Sequence, residues 1–343
     1  MTDANDQPGP TPLQTMLLMV TARWVSQAIS TAAVLGIADV VADEAKTPEA
    51  IAPAIGAHAP SVRRLLRALA SVGIFAEDGR GRFGNTAFSE VLRSDVAGSI
   101  RGMAMHVGSR AAVLAWSDLA TSVRTGEPAF RRVHGKSFFE HLASAPEESR
   151  AFDHAMHGVS STEIPAVLAA YDLGTADRIV DVGGGDGTLL AAILDRHPPP
   201  RAVLYDLPHV VATARERLRG SRHRERVEFV EGSFFDAVPE GGDAYLLKHI
   251  LHDWSDELAL QILRHCRRAV APRGRVVIIE SVIQPGNAPD FGKLLDLEMI
   301  AITEGGRERN ADEFADLLAT AGFRLSRIVP TASPTSVIEA LPV

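Results

Sequence analysis

The chain has 343 residues, of which 46% are hydrophobic, and its 35 Lys and Arg against 43 Asp and Glu give a net charge of −8. The length allows two domains with a large core, the composition excludes a disordered chain, and the acidic balance argues against nucleic acid or anionic membranes as partners. The single cysteine, Cys266, excludes an intrachain disulfide, and no apolar run approaches the ~20 residues of a membrane span. With no signal-peptide pattern either, we expect a cytoplasmic protein that begins with a loose tail of about ten residues.

Residues 1–100 predict a helical domain with one small hairpin. A helical period of apolar residues runs from Val62 to Val72 and ends at Gly73, and a hairpin follows with its turn at Asp78-Gly79. This winged-helix pattern has two interpretations: DNA binding through Arg63, Arg64 and Arg67, or dimerisation. The excess of acids over bases in these residues, ten to eight, favours dimerisation. The many apolar residues between positions 13 and 41 exceed what one small domain can bury and also favour it.

Residues 101–165 predict a helical linker that is unusually rich in Met, His and aromatic side chains. These side chains either belong to the core or form walls of a ligand pocket, and methionine adapts well to flat aromatic ligands. The pocket candidates in this segment are His106, Phe152 and Met156.

Residues 166–343 alternate strand and helix patterns. The predicted strands are 178–182, 202–206, 227–230, 243–249, 275–280, 323–329 and 336–340. The alternation predicts an α/β fold with a doubly wound, mainly parallel sheet of seven strands. Such sheets bind ligands at the carboxyl ends of their strands. Asn310 with Glu313 three residues later predicts the start of a late helix.

The turn Asp181-Val-Gly-Gly-Gly-Asp-Gly187 joins a β-branched run to a helical pattern, so it brings bare backbone close to a ligand. Its glycines lack the dinucleotide spacing, and Asp181 and Asp186 would repel a pyrophosphate. S-adenosylmethionine has a sulfonium cation, an ammonium group and no phosphate, and therefore fits this turn better. Asp206, about nineteen residues past the turn, can accept both ribose hydroxyls.

The stretch from Leu247 to Asp256 carries two histidines, a lysine and acids at the end of the fourth predicted strand. Methyl transfer from a sulfonium needs proximity and a base that deprotonates the acceptor, and His252 suits that role. Glu280 and Glu308 are candidates to orient its ring. Several residues have plainer alternatives: a structural role for His249, a solvated charge for Lys248, and helix capping for Asp253 and Asp256.

Taken in order, the glycine turn, Asp206-Leu-Pro, Leu247-Lys-His-Ile-Leu-His-Asp-Trp254, Glu280-Ser and Gly305-Gly-Arg-Glu-Arg309 resemble the plant-type class of small-molecule O-methyltransferases, in its bacterial secondary-metabolism branch. The resemblance covers nearly everything from about residue 12 and implies a Rossmann-like S-adenosylmethionine domain, an N-terminal dimerisation domain and no metal. It implies His252 as general base flanked by Glu280 and Glu308. The residues that it places at the cofactor are Asp181, Gly183, Gly185, Asp206, Leu207, Ser233, Phe234, Lys248 and Trp254. Those that it places at an aromatic acceptor are Phe152, Met156 and Met299, to which we add His106 and Asp253.

One departure from the family pattern concerns the donor. The family usually has Asp after the glycine that follows the third strand, where this chain has Ser233, and a hydroxyl accepts a hydrogen bond from adenine more weakly than a carboxylate does.

From the motifs and the resemblance together, we expect methylation of a phenolic hydroxyl on an aromatic natural product. The alternatives are an N-methyltransferase, a drifted S-adenosylmethionine-assisted decarboxylase or hydroxylase, and a winged-helix regulator that only binds S-adenosylmethionine.

Overall fold

A computed structural model describes residues 10–197 and 201–343. The tail predicted for the first ten residues lies, except for Pro10, outside the described residues. The chain divides into two compact units. The first unit is formed by the described part of Met1–Arg110 with Arg150–Gly158, and the second by Ala111–Ser149 with Val159–Val343.

The first unit combines helices with the predicted hairpin. Its elements are α1 (Pro12–Val34), α2 (Ile37–Val40), α3 (Pro48–Ala54), α4 (Ala59–Ser71), β1 (Phe75–Glu77), β2 (Phe83–Asn85), α5 (Ala87–Glu90) and α6 (Arg101–Val107). Leu66 and Leu69 of α4 are buried against Phe75 and Phe83 of the antiparallel hairpin. Gly73, with a φ of +79°, ends the helix in the left-handed conformation that glycine adopts without strain.

Helix α1 corrects one expectation. Over its 23 residues it is long and apolar enough, by length and composition alone, to cross a membrane, so the expectation that no such segment exists was wrong. Only 17% of its most apolar window is buried. Large apolar side chains along its first half are more than half exposed, namely Leu13, Met16, Leu17, Leu18, Met19, Val20 and Trp24. Ile37 and Val41, which were counted with them from the sequence, are buried instead.

The second unit begins with helices and continues as alternating strands and helices. The helices are α7 (Arg110–Ser117), α8 (Leu119–Thr125), α9 (Ala129–His134), α10 (Phe138–Ser144), α11 (Pro146–Ala170), α12 (Thr188–Arg196), α13 (Pro208–Arg217), α14 (Asp256–Ala269), α15 (Phe291–Ile302) and α16 (Ala311–Thr320). Of these, α7 has its first residue in the first unit, and α11 has its segment Arg150–Gly158 there. The strands are β3 (Arg178–Val182), β4 (Arg201–Asp206), β5 (Val227–Glu231), β6 (Ala244–Lys248), β7 (Arg275–Glu280), β8 (Val282–Ile283), β9 (Arg309–Asn310), β10 (Phe323–Pro330) and β11 (Ser336–Pro342). Short 3₁₀ turns cover Arg224–Arg226 and Leu251–Asp253.

All seven predicted strands form one sheet in the order β10-β11-β7-β6-β3-β4-β5. Strands β3 to β7 are parallel, and β11 and β10 close the sheet antiparallel. Apolar clusters cover both faces, as expected for a sheet with helices on both sides. The α/β prediction is therefore confirmed. The bounds of five of the seven strands differ from the predicted ones by one or two residues. The fourth strand ends at Lys248, because His249 adopts a left-handed φ of +52° and turns the chain away from the sheet.

This order places four strand ends side by side. Because β7, β6, β3 and β4 are parallel neighbours, their carboxyl ends meet at one edge of the sheet. Glu280, Lys248, Asp181 and Asp206 lie at or next to those ends. The chemistry-bearing residues predicted from separate motifs are therefore brought together by the sheet itself.

Candidate active site

The glycine turn after β3 is a tightly packed backbone cradle. Gly183, Gly185 and Gly187 all have positive φ, at 71°, 55° and 79°. A Cβ on Gly183 would lie 2.4 Å from Cδ1 of Ile250, so a side chain here would have to displace the end of Ile250 and would also be strained by the positive φ. Gly183 and Gly184 donate their N–H groups to the carbonyl of Tyr205 at 2.8 and 3.3 Å, which fixes the turn against the end of β4.

Asp206 is held ready at the end of β4. One carboxylate oxygen accepts the N–H of Gly185 at 2.9 Å, and the other accepts the N–H of Leu207 at 2.7 Å. Each oxygen keeps a further lone pair for a ligand, and two adjacent ribose hydroxyls are matched donors. Burial raises the pKa of Asp206 despite these two bonds. Leu207, which begins the next helix as its N-cap, is 45% exposed.

Asp181 is the clearest sign that the turn takes a positively charged ligand. It is buried, and its Oδ2 has no hydrogen-bond partner within the described residues. Burial and the neighbouring charge of Asp206 raise its pKa to about 7. Two carboxylates at one glycine turn fit the cationic S-adenosylmethionine and disfavour a pyrophosphate. Asp186 belongs less to this argument than expected, because it bonds Thr188 at the start of α12 and pairs with Arg217 at 3.4 Å.

An aromatic group surrounds the next part of the site. The ring of Trp254 stacks on Phe139 at 5.9 Å and meets the edge of Phe235 at 4.7 Å, and Phe234 lies 6.0 Å from it. The hydroxyl of Ser233 accepts the N–H of Phe235 at 3.2 Å. Ser233 therefore stabilises its own turn, and its hydroxyl hydrogen can still be donated to another group. The adenine contacts predicted for Ser233, Phe234 and Trp254 stay predictions.

His252 lies in the 3₁₀ turn after β6, where its ring is surrounded by carboxylates. Its Nδ1 is 2.6 Å from Oε1 of Glu308, and its Nε2 is 3.6 Å from Oδ1 of Asp253. Burial by itself lowers the pKa of His252, but the charges of Asp253, Glu308 and Glu280 outweigh burial and raise it to about 10. Burial in turn raises the pKa of Asp253 to about 6. Because Glu308 fixes Nδ1, Nε2 is the nitrogen that can exchange a proton with an acceptor.

Glu280 acts on the backbone of this turn. Its Oε1 accepts the N–H groups of Ile250, Leu251 and His252 at 3.1, 2.6 and 3.3 Å. The prediction placed Glu280 beside the imidazole, whereas its hydrogen bonds go to the main chain that carries the imidazole. Burial raises the pKa of Glu280 to about 7.

Arg309 is a buried residue of the Gly305–Arg309 motif to which the sequence interpretation gave no role. It is 1% exposed and donates to the carbonyls of Leu251 and Trp254 at 3.0 and 3.2 Å. It also pairs with Asp256 at 2.7 Å. Glu280 therefore binds the N–H groups of the His252 turn, and Arg309 binds its carbonyls. Asp256 binds Arg309 and so helps to hold it in place. The hydroxyl of Ser255 caps the following helix, so the alternative that Asp253 or Asp256 caps it is wrong.

Lys248 and His249 have a shared partner that no motif announced. The ammonium of Lys248 lies 2.9 Å from Oε2 of Glu163 and 3.0 Å from the hydroxyl of Ser160. Nε2 of His249 lies 2.8 Å from the same oxygen of Glu163. The alternative that Lys248 is a solvated surface charge is therefore wrong. The adenine contact predicted for Lys248 stays a prediction.

The remaining predicted residues are distributed between the two units. Met299 is buried in α15 of the second unit. In the first unit, the rings of His106 and Phe152 pack edge to face at 5.2 Å, and Met156 is half-buried. Their roles at an acceptor stay predictions. Within residues 10–197 and 201–343, no group of three or more His, Cys, Asp or Glu could hold a metal ion.

Comparison with known proteins shows the family of this chain. Residues 116–324 match the family model of the O-methyltransferase domain, and residues 17–95 match that of the O-methyltransferase dimerisation domain. The phenazine O-methyltransferase PhzM of Lysobacter antibioticus is 44% identical over 340 residues, which cover 99% of each chain. The 8-amino-8-demethylriboflavin N,N-dimethyltransferase of Streptomyces davaonensis is 37% identical over 89% of this chain and 88% of its own.

One similar solved structure contains bound ligands. The O-methyltransferase NcsB1 from neocarzinostatin biosynthesis, in complex with S-adenosylmethionine and 2-hydroxy-5-methyl naphthoic acid, is 36% identical. It superposes with a TM-score of 0.82 and covers 98% of this chain and 100% of its own. The sheet and the cradle define an S-adenosylmethionine-dependent methyltransferase. The chain belongs to the O-methyltransferase family that joins this catalytic domain to an N-terminal dimerisation domain.

Proposed function

We propose that the enzyme methylates a phenolic hydroxyl of an aromatic or polycyclic natural product. One observation carries the proposal: Glu308 holds Nδ1 of His252 at 2.6 Å in a ring of carboxylates, so Nε2 is the nitrogen that takes the proton of the acceptor once the ring is neutral. The pKa of His252, about 10, matches the ~10 of a phenol. Proton transfer between matched groups is nearly balanced, but the ring is mostly protonated near pH 7, so turnover should rise with pH as His252 becomes neutral.

The residues divide the work between donor and acceptor. When bound, S-adenosylmethionine supplies a methyl group that its sulfonium has already activated. Asp206 would hold the ribose, and the glycine cradle with Asp181 would hold the positively charged end. Nε2 of His252 takes the proton of the acceptor hydroxyl, and Glu308 stabilises the resulting imidazolium. Glu280 and Arg309 keep the His252 turn in place while the acceptor oxygen attacks.

N-methylation is the second candidate, because a relative that is an N,N-dimethyltransferase shares the fold along most of its length. A neutral aromatic amine has a free lone pair and needs no base before it attacks the methyl group. The basic site around His252 therefore favours the phenol. A drifted decarboxylase or hydroxylase would need neither the proton acceptor nor the methyl group.

The test uses a panel of phenolic acceptors, of which 3-amino-4-hydroxybenzoate offers both a hydroxyl and an amine. The enzyme is incubated with S-adenosylmethionine carrying a carbon-13 methyl group and with 3-amino-4-hydroxybenzoate, 1,4-dihydroxy-2-naphthoic acid or a hydroxyphenazine. We expect a mass gain of one carbon-13-labelled methylene and a methyl carbon resonance typical of an aryl ether. A methylamine product would support the second candidate, and loss of carbon dioxide without methyl gain would show drifted chemistry.

The matched variant is His252→Ala. We expect its turnover to fall by about 10²–10⁴-fold, while its affinity for S-adenosylhomocysteine, measured by calorimetry, stays within about twofold. Full turnover in this variant would contradict the base role of His252.

We further propose a cytoplasmic homodimer with domains at 1–100, 101–165 and 166–343. The apolar first half of α1 lies within or beside the segment that matches the dimerisation family, and burial by a second copy would remove its exposed side chains from water. Light scattering of the detergent-free protein should give twice the mass of the 36.7 kDa chain.

Neither nucleic acid nor membrane is a proposed partner. A salt-sensitive shift of duplex DNA in a gel would instead support the regulator alternative.

A further inference from the structure

A second buried charge cluster lies beside the base and has no role in the mechanism above. Its centre is Glu163 of α11, which is 5% exposed. One oxygen of this carboxylate, Oε2, lies 2.9 Å from Nζ of Lys248 and 2.8 Å from Nε2 of His249. The ring of His249 is 5.2 Å from the ring of His252 at an angle of 34°. The cluster is therefore in the second layer around the reacting nitrogen.

The backbone of His249 shows that this contact bears on the turn. Within the described residues, His249 is the only residue other than glycine with a positive φ. A residue with a side chain carries backbone strain in that conformation, and surrounding contacts must offset this strain. Its hydrogen bond to Glu163 is the one side-chain contact of this kind that the described residues give it. The strained residue also stands directly between the end of β6 and the 3₁₀ turn that carries His252.

The charges of the cluster are balanced around Glu163. Burial raises the pKa of Glu163, but His249 and Lys248 outweigh it and lower the pKa to about 2, so the carboxylate is ionised. Burial and the charge of Lys248 lower the pKa of His249, which is therefore neutral near pH 7. One carboxylate thus offsets one ammonium in the cluster that the His249 ring joins to the His252 ring. Around His252 itself the facing groups are Asp253, Glu308, Glu280 and His249.

We propose that Glu163 is a positioning residue for methyl transfer. Its bond to His249 holds the left-handed turn that presents His252, and its bond to Lys248 offsets the positive charge of that lysine. The inference rests on the proposed base role of His252. Glu163 touches no reacting atom. It acts through His249 on the backbone and through Lys248 on the local charge.

The test reads the base directly and needs no acceptor. Imidazole resonances of nitrogen-15-labelled enzyme are titrated with S-adenosylhomocysteine bound, and His252 is assigned by the signal that His252→Ala lacks. In Glu163→Gln the uncompensated Lys248 should move the pKa of His252 about one pH unit lower. Glu163→Asp keeps the charge and should leave that pKa close to the wild-type value. Lys248→Met removes the cation and should move the pKa values of His249 and His252 upward.

Glu339→Gln is the matched control, because Glu339 is another buried carboxylate of the same unit, bound to Tyr171 and Arg327. It should lower thermal stability as Glu163→Gln does, but leave the pKa of His252 unchanged. An equal shift in this control would overturn the proposal, as would an unchanged pKa in Glu163→Gln. If Glu163→Gln does not fold, a fall of the histidine pKa values in Lys248→Met overturns it as well.

Affinity for S-adenosylhomocysteine separates the base from the donor site. We expect Glu163→Gln to bind it within about twofold of wild type, and a tenfold loss would assign Glu163 to the donor site and overturn the proposal. Turnover of His252→Ala distinguishes the two levels of inference. Full turnover there defeats the proposed function, whereas an inactive His252→Ala with an unshifted Glu163→Gln defeats only the role of Glu163.

Discussion

Two histidine–carboxylate pairs lie side by side in this enzyme and behave in opposite ways. His252 meets Glu308 at 2.6 Å, and His249 meets Glu163 at 2.8 Å, with the two rings 5.2 Å apart. Burial lowers the pKa of both rings, yet the pKa of His252 rises to about 10 while that of His249 stays lowered. The difference comes from the other neighbours, since His252 has two further carboxylates and His249 has Lys248. A carboxylate contact alone therefore does not make a histidine a base.

The largest expected effect comes from exchanging one ring at a time. His252→Asn should lower kcat by about 10²–10⁴-fold, because Asn cannot take the acceptor proton. His249→Asn should lower kcat by less than about tenfold, because Asn tolerates the left-handed backbone and can still donate to Glu163. Saturating steady-state kinetics on the best acceptor of the panel compares the two. Equal losses would mean that both rings act in the chemistry.

Glu308→Gln tests what the closer carboxylate gives His252. An amide keeps the shape but no longer stabilises the imidazolium, so kcat should fall by about 10²-fold. The pKa of His252 should fall too, and the rising limb of kcat/KM against pH should move to lower pH. Glu308→Asp, which keeps the charge, is the control. A limb that stays in place would show that the pH dependence belongs to another group.

The pH dependence of stability gives a smaller effect that separates the pairs without substrate. The folded chain raises the pKa of His252 from 6.5 to about 10, so its protonation stabilises the fold fully below about pH 6.5, and this is lost as the pH rises towards 10. The pKa values of Glu280 and Asp181 are both raised to about 7 in the folded chain. Their ionisation therefore also lowers the free energy of unfolding as the pH rises, here from about 4 to 7. The Tm of the ligand-free enzyme should therefore fall between pH 6.5 and 10. Glu308→Gln should flatten this fall, and an equally steep fall in the variant would exclude His252 as its cause.

Most of the fold was predictable because its signals are local and periodic. Seven apolar runs became seven strands of one sheet, and Asn310 with Glu313 formed the predicted capping box. His252 and Glu308 were also predictable, since each lies in a motif with a chemical reason. Their 2.6 Å contact joins two motifs that lie 56 positions apart in the sequence.

Other parts of the site depend on contacts that no local pattern encodes. Glu163 lies in the middle of a long helix with nothing beside it to mark it, and it becomes notable only because the sheet brings Lys248 and His249 against it. The same reason explains why Glu280 bonds the main chain of the His252 turn and not, as predicted, the imidazole. Its position at the end of β7 was visible, but its three bonds to the backbone of the His252 turn depend on the relative height of two strand ends.

Ser233→Asp is the smallest expected change, and it leaves both histidine pairs alone. Ser233 stands where the family pattern has Asp, and its hydroxyl already accepts the N–H of Phe235 at 3.2 Å. A carboxylate can accept that N–H and, with its remaining lone pairs, the adenine amino group as well. Calorimetry should show S-adenosylhomocysteine binding about three- to tenfold more tightly, with Ser233→Ala as the control that binds no more tightly than wild type. Because the change lies on the donor side, kcat at saturating S-adenosylmethionine and the pKa of His252 should stay as they are. Weaker binding by Ser233→Asp would mean that the turn after β5 is built around the serine, and that this enzyme holds adenine by the aromatic group near Trp254.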